Sequence, residues 1–260
     1  MGGEVMSDRV FERYMEEYYA SVPGMSSAFA ARVCAALMRI QSGAGWHGNL
    51  AEIGAFEGRF LIALALTLQR GEKALAIDLF DWPDIHVNVR LLERLRTFGL
   101  IERVDIICAD SRALTPDMIA AGRYGQKLRF FHIDGDHQAQ SLAQDMALAL
   151  ASMEPWGLVC LDDMLSPAYP ELACTVADVL RMHSEWMVFC VIDREDISAS
   201  SKFLLCRREY VQYYTDGLVR AFKPNVWQMR AQFSAYQALV LAPKPRLMRF
   251  GPGGTVEAIH

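Results

Sequence analysis

The chain lacks a long apolar run, a paired cysteine motif and an excess of positive charge, and each absence excludes a class of protein. No uninterrupted apolar stretch approaches the ~20 residues that a transmembrane helix requires, and residues 1–20 lack the apolar core of a signal peptide. The six cysteines include no C-x-x-C pair, which disfavours a zinc site or a disulfide framework and favours a reducing interior. The net charge of −5 offers no general attraction to nucleic acid or to anionic lipid. We therefore predict a cytoplasmic protein that binds neither nucleic acid nor membrane.

What the chain does contain is an alternation of short β-like runs and helical patterns from Asn49 onward. Strands are predicted at 50–53, 74–79, 104–108, 129–133 and 157–161, and helices between them at 60–69, 87–98 and 141–152. Such alternation is typical of a parallel sheet with crossover helices. With 260 residues, 52% of them apolar, the chain is long enough to bury the core of one large α/β domain.

The sequence beyond the fifth strand follows a different pattern. A helix near 172–183 leads to apolar runs at 186–192 and 202–206, which a polar turn connects. Two strands with a connection of that length predict an antiparallel pair at the edge of the sheet. A helical pattern at 210–222 and a late apolar run at 236–242 follow.

The N-terminal region completes the predicted domain plan. Helical patterns at 10–19 and 26–40 precede the first strand and are expected to cap the sheet or the mouth of the active site. We predict a single domain with a helical cap (1–48), a core (49–207) and a C-terminal extension (208–260). Apolar positions on the first helix and in the tail also predict a homo-oligomer, a dimer or larger.

A glycine-containing segment, Glu52-Ile-Gly-Ala-Phe-Glu-Gly58, joins the first predicted strand to the first helix. Glycine serves where the backbone takes unusual dihedral angles or approaches a ligand closely, and the free N–H groups of the next helix suit an anionic or polar ligand. The spacing G-x-x-x-G differs from the dinucleotide fingerprint G-x-G-x-x-G, and no Walker lysine follows. A nicotinamide or nucleoside triphosphate site is therefore disfavoured, while tight packing explains the two glycines equally well.

The next two predicted strands end in polar residues on the same rim of the sheet. Asp78 closes the second strand, where a carboxylate can accept hydrogen bonds from both hydroxyls of a ribose. Asp110 and Ser111 follow the third strand and offer polar groups to the edge of an adenine. Each Asp could instead cap a helix, but polar residues at three consecutive strand ends favour a nucleoside-binding rim.

Two further strands run into carboxylates. Phe130 to Ile133 carry the chain to the sheet edge, where Asp134 and Asp136 follow, and a later apolar run ends in Asp162 and Asp163. Oxygen ligands of this kind suit a hard divalent cation, Mg²⁺ before Mn²⁺ or Ca²⁺. Asp136 is an alternative to Asp134 as a ligand, but Asp134 continues its strand directly and is preferred.

Three other titratable residues near these strand ends receive separate interpretations. His137 is interpreted as a general base, with capping of the next helix or a bond to a carbonyl as the alternatives. His132 precedes the strand end and is given a packing role. Asp145, on the helix after His137, is predicted to lie on the solvated surface.

Five motifs together carry a family resemblance: Glu52-Ile-Gly-Ala-Phe-Glu-Gly58, Asp78, Asp110-Ser111, Ile133-Asp-Gly-Asp-His137 and Leu161-Asp-Asp163. They resemble class I S-adenosylmethionine-dependent methyltransferases, most closely the metal-dependent O-methyltransferases of the macrocin and antibiotic-sugar type and, more distantly, catechol O-methyltransferase. The resemblance covers roughly residues 49–207. It implies a Rossmann-like α/β fold: a doubly wound, mostly parallel seven-stranded sheet with an antiparallel edge strand, N-terminal helices and a C-terminal extension.

The resemblance also implies a role for each matching residue. The residues implied to bind S-adenosylmethionine are Glu52, Gly54, Ala55, Phe56, Gly58, Asp78, Asp110, Ser111 and Asp134. The implied metal ligands are Asp134, Asp162 and Asp163, and His137 stands where related enzymes place a catalytic base. The segment 80–84 has no counterpart in the family pattern.

The function that follows is methylation of a hydroxyl on a small molecule, such as a sugar, a glycoside or a catechol-like natural product. A hydroxyl is a poor nucleophile at neutral pH, and a bound divalent cation lowers its pKa. Three alternatives stay open: metal-independent N- or O-methylation, a hydroxylase-type reaction and cofactor binding without catalysis. The filled polar rim argues against the last of these.

Overall fold

The computed structural model describes residues 2–120, 127–195, 199–243, 247–250 and 256–259, with the backbone alone for 2–7, 120, 247–250 and 256–259. Its helices are α1 (Gly2–Arg13), α2 (Ala28–Gly43), α3 (Arg59–Ala65), α4 (Val87–Thr97), α5 (Pro116–Ala120), α6 (Ala139–Ser152), α7 (Glu171–Met182) and α8 (Val211–Ala221). Its strands are β1 (Asn49–Ile53), β2 (Ala74–Asp78), β3 (Val104–Cys108), β4 (Leu128–Ile133), β5 (Met153–Met164), β6 (Trp186–Ile192), β7 (Ser201–Arg207), β8 (Ala231–Phe233), β9 (Tyr236–Leu241), β10 (Leu247–Phe250) and β11 (Val256–Ile259).

One large sheet organises the fold. Nine strands pair in the order β3-β2-β1-β4-β5-β7-β6-β9-β8, and β10 and β11 form a separate antiparallel pair. The first five strands of that order are parallel, so their carboxyl ends meet along one edge. The crevice outside such an edge is where open α/β sheets bind ligands.

Alternation along the strands divides the core into two layers. Phe130 and Leu158 face one layer, and their neighbours Phe131 and Val159 face the other. Helices α2, α3, α4 and α8 cover the first layer, and α5, α6 and α7 cover the second. Because both faces of the central strands are covered, these strands are mostly apolar, as buried parallel strands should be.

The predicted doubly wound, mostly parallel sheet is confirmed, and its strand count is corrected from seven to nine. β6 and β7 are antiparallel as expected, but they do not form the edge. β9 pairs in parallel with β6 through Cys190 to Ile192, and β8 lies outside it. Every residue of β6 is buried, so its outer backbone groups need a partner strand rather than solvent.

The segment between α1 and α2 lies across the amino end of α3 and is fixed there by hydrogen bonds. Tyr14 Oη donates to the carbonyl of Arg59 over 2.8 Å, and the guanidinium Nε of Arg59 donates to the carbonyl of Val22 over 2.5 Å. Ser27 then caps α2 by accepting from the backbone N–H of Ala30. This arrangement brings Ser26 to the carboxyl edge of the sheet.

No helix among the described residues combines the length and the apolar character that crossing a membrane demands.

Candidate active site

In the turn after β1, the backbone at Gly54 lies directly against the backbone at Asp134. Gly54 has φ +80°, and a Cβ there would lie 1.7 Å from the carbonyl oxygen of Asp134. Asp78 holds the turn from the next strand, because its two carboxylate oxygens accept the N–H groups of Phe56 and Phe80, each over 2.8 Å. Glycine is therefore required at position 54, and the Asp78 carboxylate both shapes the turn and faces the edge.

Two adjoining cavities of about 410 and 170 Å³ open beside this turn. The predicted cofactor residues that line them are Glu52, Gly54, Ala55, Phe56, Asp78, Asp110, Ser111 and Asp134. Gly58, the ninth, lines neither cavity and instead precedes α3, where a Cβ would meet the Leu91 side chain at 2.5 Å.

Glu52 lines the smaller cavity and is itself buried. Its residue is 2% exposed, and its Oε1 lies 2.7 Å from Nδ1 of His132. Its Oε2 is buried without a hydrogen-bond partner among the described residues. Burial raises the pKa of this carboxyl. A buried acceptor without a partner is costly, so this oxygen fits a ligand that brings a donor, such as an amino group.

Asp110, which follows β3, forms an ion pair with Arg112. The Arg112 guanidinium donates to both carboxylate oxygens, over 2.9 and 3.0 Å, and these bonds lower the pKa of Asp110 to about 2. Asp110 also accepts from the backbone N–H of Arg112 and so caps a short 3₁₀ turn. Asp110 therefore does both things considered for it: it caps a helical turn and it lines the larger cavity.

Asp145 is buried, and its predicted place on the solvated surface is wrong. The residue is 2% exposed, it is hydrogen-bonded to Ser111, and its Oδ1 is buried without a partner among the described residues. Burial raises the pKa of Asp145 to about 6. The prediction took no account of the third strand end, whose Ser111 is hydrogen-bonded to Asp145.

We expect Asp145→Asn to stabilise the protein above pH 6 and to leave its stability unchanged near pH 4. The folded state holds a proton on Asp145 up to about pH 6, whereas the unfolded carboxyl loses it near 3.9. Stability is therefore lost as pH rises through this window, by up to about 3 kcal/mol at 1.36 kcal/mol per pKa unit. Urea unfolding at both pH values measures the gain, and Asp81→Asn, which changes an exposed acid, is the control. Equal gains at pH 4 and pH 8 would contradict the expectation.

A β-bulge separates the two acids at the end of β5. The β5–β7 register passes from Leu161 opposite Phe203 to Met164 opposite Ser201. Asp162 and Asp163 therefore share one facing residue on β7, and Asp163 takes φ +57°. Bulges of this kind re-aim side chains near active sites. Here Asp162 and Asp163 point to different neighbours.

Asp162 belongs to an inner cluster of buried polar groups. Its Oδ2 accepts from the Lys202 ammonium and, over 3.1 Å, from Ser26 Oγ. Lys202 Nζ also lies 3.3 Å from Nε2 of His132 and 3.1 Å from Ser26 Oγ. Burial alone would raise the pKa of Asp162, but the Lys202 ammonium outweighs it and holds that pKa well below its usual range. His132 is buried as predicted, yet it packs within a polar network.

Asp163 belongs to an outer cluster that opens to solvent. Its Oδ2 lies 2.7 Å from Nε2 of His137, whose side chain is 34% exposed. The ring of His137 stacks on that of Tyr169 with centroids 4.1 Å apart. The hydrogen bond to Asp163 raises the pKa of His137. Asp163 and His137 line a cavity of about 210 Å³, together with Asp134, Asp162 and Met25.

Asp134 is the residue common to both clusters. One donor atom each from Asp134, His132 and Asp162 lies within 4.8 Å of the others, and so does one each from Asp134, His137 and Asp163. Burial and the Asp162 carboxylate raise the pKa of Asp134. Asp136, the alternative ligand, accepts from Ser141 at the start of α6 and belongs to neither group.

Lys202 is the site residue that sequence reasoning missed. Lys202 opens the predicted apolar run 202–206 and was given no role there, but it is 1% exposed and is the second residue of β7. A signal was present: a lysine within an apolar strand next to an acid-ended strand must be paired, since lysine is rarely buried alone.

Comparisons with known proteins agree with this architecture. Residues 51–164 match the family described as a methyltransferase domain. This part of the chain, less than half of its length, is therefore similar to a methyltransferase domain. Over 85 residues the chain is 31% identical to a caffeoyl-CoA O-methyltransferase of Stellaria longipes, a match that covers 33% of this chain and 34% of that protein. The match therefore spans about a third of that relative's length.

Solved structures show the same methyltransferase fold. The O-methyltransferase NovP superposes with a TM-score of 0.60 at 13% identity, over 77% of this chain and 99% of that one. TomG, an O-methyltransferase of Streptomyces achromogenes solved in complex with S-adenosylmethionine, gives 0.53 at 17% identity, over 77% and 88%. The predicted resemblance to S-adenosylmethionine-dependent methyltransferases is confirmed by the family match over residues 51–164, and these structures confirm the fold.

Proposed function

We propose that this chain is an S-adenosylmethionine-dependent O-methyltransferase acting on a hydroxyl of a small molecule, with a divalent cation beside the acceptor. The observation that carries the proposal is the position of Asp134 and His137. Both residues line the cavity beside the glycine turn and also the outer acidic cavity. A methyl donor in the first cavity and an acceptor in the second would meet at these two side chains.

The first pair of cavities fits S-adenosylmethionine. Glu52, whose Oε2 is buried without a partner among the described residues, would accept a hydrogen bond from the amino group of the methionine part. Gly54 has no side chain, so nothing projects from the turn into the cavity at this position. Asp78 accepts two N–H groups and retains lone pairs for the ribose hydroxyls. Asp110 and Ser111 are assigned to the adenine. When bound, the cofactor supplies a methyl group on a positively charged sulfur.

The outer cluster fits a divalent cation, and the inner cluster does not. Asp134 and Asp163 offer carboxylate oxygens at the border of an open cavity, the donor set that Mg²⁺ prefers, with Mn²⁺ or Ca²⁺ as substitutes. Asp162, the third residue of the proposed metal set, already binds the Lys202 ammonium. A cation held by Asp134 and Asp163 would lower the pKa of an acceptor hydroxyl.

His137 is proposed as the general base. With its Nε2–H donated to Asp163, the ring presents Nδ1 as a proton acceptor, and stacking on Tyr169 fixes the ring plane. A base held in this way by a carboxylate is a recurrent catalytic arrangement. Because the pKa of His137 is raised, its neutral, proton-accepting form grows as pH rises above ~6.5.

Calorimetry with S-adenosylhomocysteine tests the proposal. We expect binding to the wild type and at least tenfold weaker binding to Asp78→Asn, since an amide cannot accept from both N–H groups and a ribose as a carboxylate does. Asp81→Asn, on the exposed segment that follows, serves as the control and should bind like the wild type. A wild type that gives no heat with this ligand would refute the proposed cofactor.

A second candidate is metal-independent methyl transfer, which the Lys202–Asp162 pair favours because the protein itself supplies a cation at the site. Activity towards diol and catechol acceptors, measured with Mg²⁺ and with EDTA, separates the two candidates. Full activity in EDTA would select the metal-independent reaction.

The setting of the protein is also part of the proposal. All six cysteines are free thiols, which is the usual state in a reducing cytoplasm. We propose a homo-oligomer whose partners are otherwise only small molecules, and light scattering in solution measures its mass.

A further inference from the structure

Lys202 is a cation that the fold holds permanently against Asp162. It lies on β7, between β5 and β6, with its ammonium 4.9 Å from the centre of the Phe60 ring. The residue is 1% exposed, so its head group cannot reach solvent by a simple side-chain rotation. Lysine in such a position is retained only with charge and hydrogen-bond partners.

Three hydrogen bonds from the protein occupy Asp162, whose side chain also borders the cavity of about 210 Å³. Oδ2 accepts from Lys202 and Ser26, and Oδ1 accepts from the backbone N–H of Asp163 over 2.8 Å. A divalent ion placed on the same carboxylate would lie beside the ammonium, where two positive charges repel strongly in a poorly solvated site. The three-carboxylate site therefore has one carboxylate already neutralised.

We propose that the Lys202 ammonium takes the place of a divalent ion at Asp162, so that Asp134 and Asp163 bind any such ion without Asp162. This inference rests on the proposed function, which gives the ion its role beside the acceptor hydroxyl. Asp162 then acts as a positioning residue. It fixes Ser26, and with it the segment that borders the cofactor cavity through Met25.

Mn²⁺ binding, measured from the electron paramagnetic resonance signal of the free ion, tests this placement without any turnover. Lys202→Met removes the ammonium and frees the third carboxylate, and we expect it to bind Mn²⁺ at least tenfold more tightly than the wild type. Lys202→Met/Asp162→Asn should return to the wild-type affinity, because the freed carboxylate is gone. An unchanged or weaker affinity in Lys202→Met would overturn the proposal.

Folding of Lys202→Met offers a second measurement, since the variant leaves Asp162 buried and unpaired. If it does not fold alone, refolding in excess Mn²⁺ should recover it, because a ligand that binds only the folded state stabilises that state. Failure to refold in Mn²⁺, while the double variant folds, would count against the proposal. A wild type that binds no S-adenosylhomocysteine by calorimetry would refute the proposed function instead, and would leave the Mn²⁺ comparison valid.

Discussion

Replacing His137 with glutamine is expected to lower the rate of methyl transfer by about 100- to 10,000-fold, the usual contribution of a positioned general base. Glutamine keeps a polar side chain of similar reach but cannot accept a proton at neutral pH. The affinity for S-adenosylhomocysteine should stay within about threefold, since the loss of a base removes an interaction of the transition state and not of binding. Initial rates at saturating cofactor and calorimetry provide the two readouts.

The pH dependence of the rate identifies His137 more specifically than the loss of rate alone. In the wild type the rate should rise with pH through a pKa above 6.5, because the hydrogen bond to Asp163 raises the pKa of His137. Asp163→Asn removes that carboxylate, so the rising limb should move to lower pH even though the maximum rate falls. Tyr169→Phe keeps the stacked ring and should leave the limb in place. An unmoved limb in Asp163→Asn would assign the base to another residue.

Much of the fold could be predicted from the sequence because apolar alternation and strand-end chemistry are local signals. The pair Phe130 and Phe131 shows why, since a strand covered on both faces favours apolar residues at neighbouring positions. The turn at Gly54 and the acid at Asp78 were likewise visible, because each depends on the position of its own strand end.

The arrangement of the acids could not be predicted, since it depends on a pairing between distant strands. Asp162 and Asp163 are adjacent in sequence and border the same cavity, and the bulge opposite Lys202 turns Asp162 to the Lys202 ammonium and Asp163 to His137. The burial of Asp145 could not be predicted for the same reason, because it depends on how α6 packs against the segment that holds Ser111. The two additional strands were missed because the late apolar run pairs with β6, a partner far away in the chain.

Gly54→Ala is expected to destabilise the fold strongly. The left-handed backbone alone costs about 1–2 kcal/mol for alanine. In addition, the new methyl group would lie 1.7 Å from the Asp134 carbonyl oxygen, which forces backbone to move and adds about 1–3 kcal/mol or more. Gly71→Ala is a matched control, because Gly71 has φ +88° and open space around its Cβ position.

Urea unfolding of Gly54→Ala and Gly71→Ala separates the steric cost from the conformational one. Gly71→Ala should lose only the first contribution, about 1–2 kcal/mol, and should bind S-adenosylhomocysteine and Mn²⁺ like the wild type. Gly54→Ala should lose more and should weaken both ligands together, because the displaced carbonyl belongs to Asp134, which lines the cofactor cavity and is common to both acidic clusters. Equal losses of stability in the two variants would show that β1 and β4 separate easily at this edge, and that the close contact at Gly54 does not hold Asp134 in place.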